Sequence, residues 1–342
     1  MRNKLILILL LIFLVVACAQ KEYSVYREPQ ASQVQSQAKQ PVIEEKVQVV
    51  QEKVEMVQQN VSVSKENSIE SDIIPGKGSG ILGKRSEGAE SQRILEAVSK
   101  DGLYWRKTGF ILSDQASSPG TVLDKEGRLR VYYEDAKNGG ISVAIKDNNR
   151  WYYKKVYVAG SAKDPEIILL TNGSYRMYYN AAPFTLSPSE RYDVEYKINS
   201  AISTDGINFY EEGKRYVENT PIENPDVFFI EGTYNMLVTI DEKIDVLKSI
   251  DGLTWGKFGI SIDDCVQGSV VKGGGGFRLY CQQSIDGKKK IVSFFSGNGG
   301  KWQKENIRLE VDSPLEAISV GNPGVERMLD GTYVIYYTAY IN

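Results

Sequence analysis

From about residue 93 to the end of the chain, short apolar runs alternate with polar positions in the manner of β-strands, and the three-to-four spacing of helices is almost absent. The runs fall into a motif with two halves. One half reads polar-Pro-x-Val/Ile, then a Gly, then a Tyr pair. It occurs at Ser118-Pro119 with Gly127 and Tyr132-Tyr133, at Asp164-Pro165 with Gly173 and Tyr178-Tyr179, at Asn224-Pro225 with Gly232, and at Asn322-Pro323 with Gly331 and Tyr336-Tyr337. The other half reads Ser-x-Asp-Gly-x-x-Trp/Phe. It runs from Ser99 to Trp105, from Ser203 to Phe209 and from Ser249 to Trp255, with looser copies ending at Trp151 and Trp302. Each half predicts a hairpin, because the Gly of its turn accepts a positive φ between two strands. Two hairpins make four strands. With a degenerate first half at residues 267–271, followed by Gly273, Gly276 and Tyr280, the motif predicts five such sheets.

The order of the halves says how the sheets are arranged. The repeats open with a second half lacking its first, at residues 95–112, and close with a first half lacking its second, at residues 320–342. Joined, the fragments complete one more repeat, which a ring of sheets requires because an unclosed ring leaves raw strand edges. The expected fold is therefore all-β: one five-bladed β-propeller over residues 93–342, closed by pairing of its N- and C-terminal segments.

The front of the chain has another pattern. Arg2 and Lys4 precede an apolar run at residues 5–17, too short for a lone bilayer span and suited to a signal-peptide core. It ends in Val15-Val16-Ala17-Cys18, which resembles the bacterial lipobox, where cleavage leaves a Cys that is diacylated. A lipid on Cys18 would hold the protein on the extracytoplasmic side of a membrane; a plain signal peptide with a chance Cys is the alternative. Residues 18–92 are rich in Gln, Glu, Ser, Lys and Val, which reads as a tether. Within it Ile43, Val47, Val50, Val54, Val57 and Val61 step by four and three, either a short coiled coil supporting weak oligomerisation or a tether with transient helix.

Charge and rare residues narrow the chemistry. The net charge of −3 has acidic and basic residues interleaved, so there is no nucleic-acid footprint. His is absent, which removes the commonest zinc ligand and the base of Ser-His-Asp schemes; neither metal nor cofactor is expected. Besides Cys18, only Cys265 and Cys281 occur, on facing strands of the fourth sheet, as a disulfide or as two buried thiols.

In a propeller the innermost strands line a central funnel, and the first motif half starts each of them. Their first residues are Ser118, Asp164, Glu223-Asn224, Gln267 and Asn322. Lys163-Asp164-Pro165 and Glu223-Asn224-Pro225-Asp226 resemble the motifs of the five-bladed glycoside hydrolases of families 32, 43 and 68, the invertases, arabinanases and levansucrases. The resemblance implies a Glu acid at Glu223, an Asp at Asp164 that orients the sugar and tunes the acid, and an oligosaccharide in the funnel beside Ser118, Asn224, Asn322 and Asp226. It also implies a carboxylate on blade one, where this chain has Ser118. Renumbering the blades does not supply it, since Gln267 and Asn322 are not acids. Glycoside hydrolysis needs two carboxyl groups across the scissile bond. Ser118, with no His to activate it, cannot be the second. Either another acid reaches into the funnel, with Asp114, Asp226 and Glu326 as candidates, or hydrolysis is lost.

Three readings follow: an envelope-tethered carbohydrate-active enzyme, a glycan-binding protein without turnover, and a protein-interaction scaffold. Each residue also has a plain structural role. Asp before Pro starts turns, Glu223 could be a rim charge, and the Asp-Gly-x-x-Trp copies, although they look like shortened Asp-boxes of sialidase-type propellers, are accounted for by turn chemistry and aromatic packing.

Overall fold

Twenty strands follow one another along residues 91–181 and 195–341, the part of the chain that the computed structural model describes. The signal peptide with Cys18, the tether up to residue 90, the heptads at residues 43–61 and most of the long insertion after Ala181 lie outside the described residues. Blade one is β3 (Ala116–Leu123), β4 (Leu129–Asp135), β5 (Ile141–Asp147) and β6 (Arg150–Lys155). Blade two is β7 (Lys163–Leu169), β8 (Tyr175–Asn180), β9 (Tyr196–Ser203) and β10 (Tyr210–Glu218). Blade three is β11 (Ile222–Ile230), β12 (Thr233–Ile240), β13 (Lys243–Ser249) and β14 (Gly256–Ile262), and blade four is β15 (Val266–Gly273), β16 (Gly276–Ile285), β17 (Lys288–Ser296) and β18 (Gln303–Leu309). Blade five joins both ends of the domain. β19 (Ser319–Arg327) and β20 (Tyr333–Tyr340) pair with β1 (Gln92–Ser99) and β2 (Arg106–Asp114) in the order β19-β20-β1-β2.

The closing register runs without a break from Gln92 opposite Tyr340 to Ser99 opposite Tyr333. The inner strands touch in sequence, β3 to β7, β7 to β11, β11 to β15, β15 to β19 and β19 back to β3, so the five-bladed ring is closed. Their approach is close. A Cβ on Gly120 would run into the Pro165 carbonyl, and one on Gly324 into that of Pro119.

The apolar face of each blade packs against its neighbour, and every core cluster straddles two blades. The Tyr pairs supply much of it. Tyr132, Tyr178, Tyr179, Tyr280, Tyr336 and Tyr337 are fully buried. The first ring of a pair, or the single Tyr280 of blade four, meets the Trp or Phe of the next blade edge-on: Tyr132 with Phe209, Tyr178 with Trp255, Tyr280 with Trp105 and Tyr336 with Trp151.

The Asp-Gly turns complete this lock. Asp251 Oδ1 accepts the amides of Leu253 and Thr254, and Ser249 Oγ accepts that of Gly252. The carbonyl of Gly252 is thereby aimed at the buried Tyr178 hydroxyl, which donates to it at 2.8 Å. Tyr132 makes the same bond to Gly206, and Tyr280 to Gly102. A buried phenol needs a partner, and the turn of the next blade is that partner.

Cys265, just before β15, and Cys281, in β16, are joined as a disulfide with Cα atoms 5.8 Å apart, which settles the alternative of two free thiols.

Candidate active site

The start of each inner strand carries the same backbone irregularity. Register shifts fall between Ser117 and Gly120, Lys163 and Glu166, Glu223 and Asp226, Val266 and Ser269, and Gly321 and Gly324. At each bulge one non-Gly residue is left-handed: Ser118 (φ 50°), Asp164 (49°), Asn224 (50°), Gln267 (54°) and Asn322 (42°). Asp and Asn tolerate this region; Ser and Gln are less suited to it, and four of the five precede Pro, which further restricts their backbone. The strain, about 1–3 kcal/mol for each, turns five side chains toward the axis at one end of the ring.

These side chains form a network around a cavity of about 30 Å³ lined by Ser118, Asp164, Asn224, Gln267 and Asn322 with their following residues. Ser118 Oγ donates to Asp164 Oδ1 at 2.9 Å, Asn224 Nδ2 donates to the same oxygen at 3.0 Å, and Asn322 Nδ2 donates to Ser118 Oγ at 3.2 Å. Three carboxamide oxygens, Asn224 Oδ1, Gln267 Oε1 and Asn322 Oδ1, accept no hydrogen bond from the protein although they are buried. The cavity has room for a hydroxyl group or a water but not for a sugar ring.

Glu223 is exposed to solvent yet surrounded by protein, and its carboxyl is pushed up by that burial and by the charge of Asp164, with Lys163 opposing. It is not among the residues that line the small cavity. The Tyr340 hydroxyl, pushed up to about 12 by burial and by Asp164, belongs to the same group.

One residue here had no place among the sequence candidates. Glu134, in β4 opposite Ser117, crosses to blade two, where its Oε1 accepts the backbone amide of Asp164 at 3.0 Å. Burial pushes its carboxyl up to about 8, and the charge of Asp164 and a hydrogen bond to that carboxylate add to the shift. The signal was present in the repeats. The residue after each Tyr pair, or its equivalent, is Glu134, Asn180, Thr239, Gln282 and Thr338, and Glu134 is the acid among them.

The three acids named as substitutes for a blade-one carboxylate do not fill that place. Asp114 ends the β1–β2 hairpin on blade five, exposed and paired with Arg93 at 3.0 Å. Asp226 reaches the axis one layer deeper and accepts the amide of Val270 at 3.0 Å. Glu326 lines a second cavity of about 240 Å³, farther along the inner strands, together with Glu166, Asp226 and Lys272. Two residues of strand pitch after the ring residue for Asp226 and Glu166, and four for Glu326, carry these groups past the ring, toward the other end of the axis. Burial is the main reason that Asp226 and Glu326 are each pushed up to about 7 and Glu166 upward as well. Among the described residues no three His, Cys, Asp or Glu side chains are grouped to hold a metal ion.

No family model matches the chain, and no curated protein matches it by sequence. Solved structures match it by shape. A thermostable family-43 glycoside hydrolase superposes with a TM-score of 0.52 at 18% identity, over 65% of this chain and 83% of that one. An α-L-arabinofuranosidase from Clostridium thermocellum gives 0.50 at 17% identity over 65% and 81%, and one from Lactobacillus brevis gives 0.51 at 11% over 65% and 82%. At these identities the likeness is one of fold.

Proposed function

We propose that the strained end of the ring is a saccharide site, and that the protein acts on or binds oligosaccharides there while tethered outside the cytoplasm. The observation that carries the reading is the concentration of Glu223, Asp164 and unpartnered amide oxygens at one end of a propeller that shares its fold with family-43 glycoside hydrolases. Amide and carboxylate oxygens accept from sugar hydroxyls. Glu223, solvent-exposed with its carboxyl pushed up, suits proton donation to a leaving oxygen, and Asp164 raises it by charge. Tethering is supported by the residues before Cys18 and by the Cys265–Cys281 disulfide, which suits an oxidising compartment.

A binding protein without turnover is the second reading, favoured by Ser118 at the blade-one position, where its hydroxyl serves Asp164. Calorimetry with arabino-, xylo-, fructo- and manno-oligosaccharides tests what both readings share. At least one series should bind, and Asp164→Asn should weaken it tenfold or more. No binding by any series would sink the saccharide reading and move the scaffold forward. For the tether, Cys18→Ser should release the protein from membranes; unchanged membrane retention would count against lipidation.

A further inference from the structure

We infer that Glu134 is the carboxyl that Ser118 cannot be: it takes the proton of the attacking water and works as a relay with Asp164. The inference rests on the saccharide reading of the same site.

The fold itself does not ask for an acid at this position. A left-handed residue at a bulge leaves its amide to be capped from the preceding blade, and in two other places a Thr hydroxyl does so. Thr338 Oγ1 accepts the amide of Ser118 at 3.2 Å, and Thr239 Oγ1 accepts that of Gln267 at 2.9 Å. Glu134 performs the same backbone task for Asp164 with a carboxyl, half-buried and set against a second carboxyl. Two acids in contact are costlier than a Thr, and such a cost is characteristic of functional sites.

Availability favours Glu134 over Asp164 as the group that meets the water. Asp164 Oδ1 already accepts from Ser118 and Asn224 side chains, and Oδ2 accepts the Asn224 amide at 3.4 Å. Glu134 takes one amide hydrogen bond and is otherwise engaged with Asp164. The charged groups facing it are Asp164 and Lys163, and Asp164 in turn acts on Glu223 of blade three and on Tyr340 of blade five.

The step balances as a single displacement. The water oxygen bonds to the anomeric carbon as the bond to the leaving oxygen breaks, and Glu223 protonates that oxygen. The water proton goes to Glu134, whose own proton passes to Asp164. The pair gains one proton, Glu223 loses one, and solvent restores both. The product sugar emerges with its anomeric configuration inverted.

The test uses the full-length protein with p-nitrophenyl pentosides, hexosides and the oligosaccharide that binds best. Glu134→Gln and Glu134→Thr both retain an acceptor for the Asp164 amide, so a purely structural role predicts turnover within threefold of the unmodified protein. The relay predicts that kcat falls about 100-fold or more in both variants while KM changes less than threefold. Added azide, which attacks without proton removal, should restore turnover to Glu134→Gln and yield a glycosyl azide. On nitrophenyl substrates, whose leaving group needs no proton, Glu223→Gln should retain more activity than Glu134→Gln. Turnover that survives both Glu134 substitutions, activity lost without azide rescue, or a product of retained configuration would each overturn the inference. Saccharide binding with no turnover by the unmodified protein would overturn it too and leave the binding reading standing; absence of binding would remove both.

Discussion

The two ends of the propeller axis are built on different terms. At the end with the Asp-Gly turns the repeats agree with one another: Asp101, Asp205 and Asp251 accept equivalent amides, and Gly102, Gly206 and Gly252 receive a Tyr hydroxyl from the preceding blade. At the end where the inner strands begin, the backbone repeats but the side chains diverge, into Ser118, Asp164, Asn224, Gln267 and Asn322. The satisfied end holds the ring together. The divergent end has strained backbone, unpartnered amide oxygens and carboxyls pushed upward, none of which adds stability.

The sharpest way to break the contrast is to truncate a member of the satisfied end. Tyr178→Ala empties a packed site and orphans the Gly252 carbonyl, and it should cost about 3–5 kcal/mol in denaturant unfolding. A loss below about 1 kcal/mol would show that the inter-blade lock is dispensable. A smaller effect concerns pH. Asp226 and Glu326 are pushed up to about 7, so the folded state retains protons that the unfolded chain releases; their stability contribution is complete near pH 4 and is lost as pH rises through 7. Asp101 and Asp205 are pushed down by turn hydrogen bonds against a partial opposing effect of burial, so their contribution is lost as pH falls below the ordinary carboxylate range. Asp226→Asn should therefore raise stability on the order of 2 kcal/mol at pH 8 and leave it nearly unchanged at pH 4.5. Equal effects at both pH values would contradict the burial of that carboxyl.

Smaller still is Asp205→Ala, which removes the acceptor of two turn amides and should cost about 1 kcal/mol. Asn322→Gly, which relieves a left-handed Asn at the divergent end, should stay within about 0.5 kcal/mol of the unmodified protein while weakening saccharide binding. If Asn322→Gly destabilises more than Asp205→Ala, the division of labour between the ends is wrong.

What could be read from the sequence follows the same division. Ring closure and the blades were legible because half-motifs, turn glycines and Tyr pairs serve packing, and packing repeats. Ser118, Asp164, Asn224, Gln267 and Asn322 were placed at the funnel because they start inner strands, but their left-handed backbone was not anticipated, since a Pro after the residue argues for extended structure. Glu134 was missed because it belongs to the second strand and reaches the site by crossing between blades. Asp114, Asp226 and Glu326 were named as acids that could reach into the funnel, but strand position and pitch set which layer of the axis, if any, a side chain enters.

The most direct test of the central claim is a crystal structure of the protein with the oligosaccharide that binds best in calorimetry. A sugar ring over Asp164, with Glu223 and Glu134 on either side of its anomeric carbon and a hydroxyl directed to the cavity lined by Asn224, Gln267 and Asn322, is the result predicted. A sugar seated on the Asp-Gly turns, or in the cavity beside Glu166 and Glu326, would contradict it.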